Sequence, residues 1–229
     1  MAEVKLYAPG ILDYQTAWDK QKAIYQKNFN IKTGKVAGET SNHLFLLEHP
    51  PVYTLGKSGD SSNLLLPEKF LKEKSIGFYK IERGGDITFH GPGQWVGYPL
   101  LDLEKLGVSI KDFIDGIEEM LIRTVARFGI KAARIKGATG VWVEANHPQR
   151  ARKIAAIGMK ISKMVTMHGF ALNVNTDLKY FDYIIPCGIR DKGVTSIQKE
   201  TGKHWKMEEV KIVLLEEFAK QFDIHWIFS

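Results

Sequence analysis

The sequence predicts an α/β or α+β fold. Three observations predict it. Strand-like and helix-like segments alternate along the 229 residues. Hydrophobic residues make up 44% and charged residues 25%, a globular balance on a chain long enough to bury a sizeable core. No repeat, low-complexity tract or linker-like stretch divides the chain, so residues 1–229 read as a single domain, with room for the C-terminal helix and strand to form a small appended layer.

The elements follow in order. Asp13 is placed to cap a helix whose apolar side carries Tyr14, Trp18, Ile24, Tyr25 and Phe29. His43 to Glu48 is a short apolar run ending at Pro50-Pro51, which reads as a strand. Pro67 to Lys74 suits a short helix with proline in its first turn. Gly77 to Glu82 and Val96 to Leu101 read as strands with a glycine-dense loop between them. Ser109 and Asp112 open the clearest helix, striped by Phe113, Ile117, Met120, Leu121 and Val125 and closed near Gly129. Strands are expected at Gly140–Glu144, Ile154–Ile161 and Val165–Val174, with a polar hairpin turn over Asn146–Arg152. A helix over Met207–Phe222 carries Val210, Leu214, Phe218 and Phe222, and His225–Phe228 reads as a closing strand.

Composition excludes several classes. A lone cysteine, Cys187, forms no internal disulfide and supplies no cysteine-rich metal or iron–sulfur site, so a reducing, cytoplasmic setting is the natural expectation. No stretch approaches the roughly 20 apolar residues of a membrane span, and the N-terminus has no signal-peptide pattern. The seven histidines show no metal-ligand spacing. The net charge of +6 invites an acidic partner, yet no dense basic block points to nucleic acid.

Four segments carry chemistry. Residues 83–94, Arg-Gly-Gly-Asp-Ile-Thr-Phe-His-Gly-Pro-Gly-Gln, hold four glycines beside Arg83 and His90. Such a loop lets backbone N–H groups approach a ligand, but it lacks the Gly-Lys-Ser/Thr of a phosphate loop. Lys153 heads Lys-Ile-Ala-Ala-Ile-Gly, where partial desolvation could tune it as a base, although a lysine at a strand end more often keeps its head in water. His168 and Asn173 interrupt an apolar strand and could line a site or satisfy backbone groups. Pro186 and Gly188 put Cys187 on a turn, where a thiolate could react; an inert buried thiol reads the residue equally well. Activation of Cys187 by His168 is open from residue types alone.

Together the segments 83–94, 153–158, 168–175 and Pro-Cys-Gly-Ile at 186–189, followed by Val-Thr-Ser-Ile at 194–197, resemble the signature of the lipoyl(octanoyl) transferases, with Lys153 and Cys187 at that family's spacing of 34 residues. The resemblance implies a mixed β-sheet flanked by helices, as in the biotin and lipoate protein ligase catalytic domains. It implies transfer of an octanoyl group from octanoyl-acyl carrier protein to a lysine of a lipoyl domain, in E2 subunits of 2-oxo acid dehydrogenases or the glycine cleavage H protein. Cys187 would carry the acyl group and Lys153 would be its partner. Arg83, Gly84, Gly85, Asp86, Ile87, Thr88, Phe89 and His90 would bind substrate, with Ala156, Ile157 and Gly158 and with Gly169, Phe170 and Ala171; Phe89, Ile157 and Phe170 would line an acyl tunnel. His168 and Asn173 would support the site. No cofactor, metal or ATP is expected, and a monomer is expected. An ATP-dependent ligase on the same fold, a cysteine hydrolase and a carrier-binding module are the competing readings.

Overall fold

A computed structural model describes residues 1–185 and 192–228. The chain runs β1 (Ala2–Ile11), α1 (Tyr14–Lys32), β2 (His43–Glu48), β3 (Val52–Leu55), α2 (Glu68–Glu73), β4 (Gly77–Lys80), β5 (Ile87–His90) and β6 (Gln94–Leu100). It continues α3 (Ile110–Ala126), β7 (Ala132–Ile135), β8 (Ala138–Val143), β9 (Arg152–Ser162), β10 (Val165–Asn173), β11 (Gly193–Val194), α4 (Ile197–Thr201), α5 (Met207–Phe222) and β12 (Ile224–Phe228). Among the described residues no helix is long and apolar enough to cross a membrane.

The large mixed sheet has the order β12-β1-β2-β6-β10-β9-β8-β7, with the short β11 added beside β9. β1 runs parallel to both β2 and β12, and β11 runs parallel to β9; the other pairs in the series are antiparallel. Its two faces are covered by different helices, as strand alternation requires. Phe113, Ile117 and Leu121 of α3 and Leu214 and Phe218 of α5 pack on Leu44, Leu46, Trp95, Phe170 and Leu172. On the opposite face Ala17 and Tyr25 of α1 pack on Phe45, Leu47, Val96, Tyr98 and Met167. A second sheet, β4-β3-β5, stands beside the N-terminus of α1 and holds a core of its own around Tyr53, Ile87 and Phe89.

The helix signals act as expected. The Asp13 carboxylate accepts from the Thr16 N–H at 3.0 Å and Ser109 Oγ accepts from the Asp112 N–H at 3.1 Å. Three expectations are corrected. Residues 87–90 form β5, because the apolar Ile87 and Phe89 alternate with Thr88 and His90 within the glycine-dense stretch. β1, β3 and β7 also escape the sequence reading; β1 contains Pro9 and Gly10, whose register irregularity with β2 hides its alternation of Val4 and Leu6. The C-terminal helix and strand are not an appended layer. α5 shares the core of α3, and β12 extends the large sheet.

The cap at Asp13 sets the start of the helix whose first residue, Tyr14, reaches the cavity described below. Asp13→Ala is expected to lower unfolding stability by about 1 kcal/mol and Asp13→Asn by much less, measured by urea denaturation with far-UV circular dichroism.

Candidate active site

Where the small sheet, α1 and the middle of the large sheet meet, they line a partly open cavity. Its walls bring together the segments singled out in the sequence. Arg83, Gly85, Asp86, Ile87, Thr88 and His90 come from the loop and β5. Lys153, Ala156, Ile157 and Gly158 come from β9, and His168, Gly169, Phe170 and Ala171 from β10. A smaller lobe shares Thr88, Lys153, Ala156 and Ala171 with it and adds Gln94, Asn173, Phe181 and Val194. Lys153 therefore borders both spaces.

Two of the expected binding residues stand elsewhere. The Phe89 ring, on the opposite side of β5 from His90, stacks on Tyr180 with centroids 4.4 Å apart and belongs to the small sheet's core. It is no part of the cavity wall, and Ile157 and Phe170 remain of the three expected tunnel residues. Gly84 contributes backbone instead: its N–H donates to Met159 O at 2.9 Å, docking the loop on β9. That approach depends on Gly158, where a Cβ would stand 3.0 Å from both Gly84 O and Arg83 Cδ. Cys187 lies outside the described residues.

Arg83 holds the loop from inside. Its buried guanidinium donates to Thr54 O at 2.8 Å, to Thr54 Oγ1 at 3.1 Å and to Gly84 O at 3.0 Å. Thr54 belongs to β3, so one side chain ties the small sheet to the loop that docks on the large one.

Three buried histidines stand in this region, and hydrogen bonds fix the tautomers of two of them, His90 and His49. Thr195 O can only accept, so Asn173 Nδ2 donates to it at 3.0 Å and Asn173 Oδ1 faces Gln94. Gln94 Nε2 donates to that oxygen at 2.8 Å and to Phe89 O at 3.2 Å. Gln94 Oε1 must then accept from His90 Nδ1 at 2.8 Å, which leaves His90 Nε2 without a proton. The same logic applies behind it. His49 Nδ1 donates to Leu12 O at 2.7 Å, so its Nε2 accepts from the Tyr98 hydroxyl at 2.8 Å. His168 adopts a left-handed backbone, φ 63°, and its N–H donates to Gln21 of α1 at 3.3 Å. Burial holds all three rings neutral: His49 is lowered to about 4 and His90 and His168 to about 3, with the Arg83 charge adding to the effect on the last two.

Sequence reasoning missed Tyr14, Ile81, Val96 and Tyr98, which line the cavity, and His49 behind Tyr98. Tyr14 and Val96 carried only a core-like signal, since a residue facing an apolar cavity follows the same pattern as one facing a core. Among the described residues no group of three or more histidine, cysteine or carboxylate side chains is arranged to hold a metal ion.

The neutral histidines make stability pH-dependent. An unfolded histidine titrates near 6.5. Below that pH the unfolded chain binds protons that the folded chain refuses, so stability falls as pH drops toward the folded values and is unaffected by these groups above 6.5. The loss approaches about 1.4 kcal/mol per pH unit for each histidine. Urea unfolding at pH 7.5, 6.5 and 5.5 should show the decline beginning near 6.5, with a shallower slope in His90→Gln; equal stability at 6.5 and 5.5 would contradict neutral burial.

The family model for the lipoyl protein ligase A/B catalytic domain matches residues 13–219. An octanoyltransferase of Christiangramia forsetii is 51% identical over 225 residues, covering 96% of each chain. One of Parabacteroides distasonis is 48% identical over 223 residues, covering 97% of this chain and all of that one. Among solved structures, a bi-partite lipoate protein ligase of Thermoplasma acidophilum superposes with a TM-score of 0.69 at 15% identity, over all of this chain and 86% of that one. A biotin protein ligase of Aquifex aeolicus, with biotin and ATP, gives 0.52 at 13% identity over 96% and 70% of the two chains. The structures share the fold, and the matching of nearly the whole chain places it in the lipoyl protein ligase A/B catalytic domain family.

Proposed function

We propose that the chain transfers an octanoyl group from octanoyl-acyl carrier protein to a lysine of a lipoyl domain, through a thioester on Cys187 and without ATP. The observation that carries this reading is the convergence of segments 83–90, 153–158 and 168–171 on one cavity with Lys153 in its wall. The octanoyltransferase relatives, at about half identity over nearly the full chain, support the acyl group named.

In this reading Lys153 takes the proton of the Cys187 thiol, and the thiolate attacks the donor thioester carbonyl. Backbone N–H donors stabilise the tetrahedral oxyanion, each worth about 3 kcal/mol in such sites. The intermediate collapses, the carrier leaves as a thiolate and the Lys153 ammonium protonates it. Neutral Lys153 then accepts the proton of the acceptor amine as that amine attacks the Cys187 thioester and Cys187 departs as thiolate. Thioester exchange is nearly balanced and amide formation runs downhill, so no ATP is consumed.

The alkyl chain lies in the cavity against Ile81, Val96, Ile157 and Phe170. At about 0.8 kcal/mol per buried CH₂, cavity depth sets chain-length preference. Neutral histidines suit this role, since a charged wall would oppose an apolar tail. Acyl carrier protein and lipoyl domains, of E2 subunits or the H protein, meet a chain of net charge +6, which speeds encounter with acidic partners.

Intact mass spectrometry after mixing with octanoyl-acyl carrier protein, ATP omitted, is expected to show an octanoyl adduct that is absent in Cys187→Ala. Lys153→Ala should slow both its formation and its transfer by about 100-fold or more. A requirement for ATP, or octanoylated acceptor accumulating while the enzyme stays unmodified, would refute the reading.

A further inference from the structure

We propose that Trp142 is a positioning residue for Lys153: the indole face holds the ε-ammonium at the cavity wall. The inference rests on the reading of Lys153 as the proton-handling group.

Four observations carry it. First, the strand register brings the pair together. Val141 pairs with Ala155 but Trp142 pairs with Lys153, so Ile154 is an extra residue on β9. Ile154 and Ala155 both enter the core beneath α3 and α5, whereas Lys153 and Ala156 both reach the cavity. Strict alternation forbids that arrangement; the bulge at Ile154 turns Lys153 onto the cavity face. Second, Lys153 Nζ stands 4.7 Å from the centroid of the Trp142 ring, within cation–π range.

Third, the lysine stem has a reserved path. A Cβ on Gly140 would stand 3.2 Å from Lys153 Cε and 3.4 Å from Cδ, and Gly140 has φ 129°, a conformation suited to glycine. Fourth, the platform is fixed. Trp142 is 2% exposed and its indole N–H donates to Ala138 O at 2.9 Å. Gly140 N–H donates to Glu118 Oε1 at 2.8 Å, and the other oxygen of this buried α3 carboxylate accepts from Arg134 Nε of β7 at 3.0 Å. The β7–β8 hairpin is thereby pinned to α3, and the ring cannot drift from the lysine.

An ammonium on a rigid aromatic face is preorganised. It needs no reorientation when negative charge develops nearby. Loss of the ring should free the Lys153 side chain and lower kcat; exchange for another aromatic should largely preserve both.

The test is NMR relaxation of protein labelled at lysine ¹³Cε, with the Lys153 signal assigned by its loss in Lys153→Arg, read beside kcat and KM for octanoyl transfer. Incorporation of 5-fluorotryptophan weakens the ring quadrupole while leaving packing nearly intact. It should lower the order of the Lys153 ¹³Cε measurably, and Trp142→Leu should leave it mobile and reduce kcat about three- to tenfold at nearly unchanged KM. Trp142→Phe should stay close to wild type. Equal Lys153 ¹³Cε order in wild-type, fluorinated and Trp142→Leu protein would overturn the proposal, and the fluorinated protein decides the matter if the leucine variant does not fold. The catalytic reading is judged separately: Lys153→Ala with wild-type transfer would refute it and leave the relaxation result standing.

Discussion

One buried guanidinium holds the site together. Arg83 reaches across from the loop to Thr54 of the small sheet, while the next residue, Gly84, docks on Met159 of the large sheet. Burying a charge is costly unless its donors are satisfied, and here backbone carbonyls and a hydroxyl supply the partners. Gln94 of β6 adds a second tie, through His90 Nδ1 and Phe89 O of β5, so two junctions set the spacing of the cavity walls. The absence of a side chain on Gly158 lets the first junction close.

The same cation shapes the electrostatics. Burial, reinforced by Arg83, keeps His90 and His168 neutral, and hydrogen bonds running to fixed backbone carbonyls leave no choice of tautomer for His49 and His90. The two histidines that line the cavity, His90 of β5 and His168 of β10, are therefore not bases near pH 7. It is a largely apolar chamber in which the ring nitrogens of His90 are fixed by a hydrogen-bonded chain, while His168 Nε2 is buried without a hydrogen-bond partner, and Lys153 stands at its boundary. That division suits an acyl chain on one side and proton transfer on the other. It also weighs against His168 as an activating base for Cys187, since a group titrating near 3 has little affinity for a thiol proton at neutral pH.

Much of this was legible in the sequence, because periodicity and capping are local. The limits of β2 and α5 coincide with the apolar runs, and Asp13 and Ser109 cap the helices they precede. The segments around Arg83, Lys153 and His168 could be picked out as unusual, and they converge. What stayed hidden depends on strand pairing. Phe89 sits among binding residues in the sequence, yet β5 alternation sends its ring to the opposite core. Tyr14 and Tyr98 read as ordinary core residues because nothing local separates a cavity wall from a packed interior. Gln94 shows its meaning only when Asn173 and His90 are placed on either side of it.

The departures from regular strand geometry are where the chemistry-bearing side chains sit. His168 is left-handed within β10 and faces the cavity with Gly169 and Ala171, although its even spacing from Phe170 and Leu172 would put it beneath α3. Lys153 faces the cavity with Ala156, an odd separation that a regular strand does not permit, because Ile154 is unpaired. Both irregularities occur on the central pair β9–β10, whose remaining residues keep register and bury apolar side chains on the α3 and α5 face. A regular sheet would bury Lys153 beside Ala155 in the core beneath α3 and α5, where an ammonium is costly to desolvate. Tolerating one unpaired residue in the sheet interior is thus the condition for a polar group to emerge from strands that are otherwise core, and the sequence Lys-Ile-Ala-Ala supplies it without any glycine or proline to announce the break.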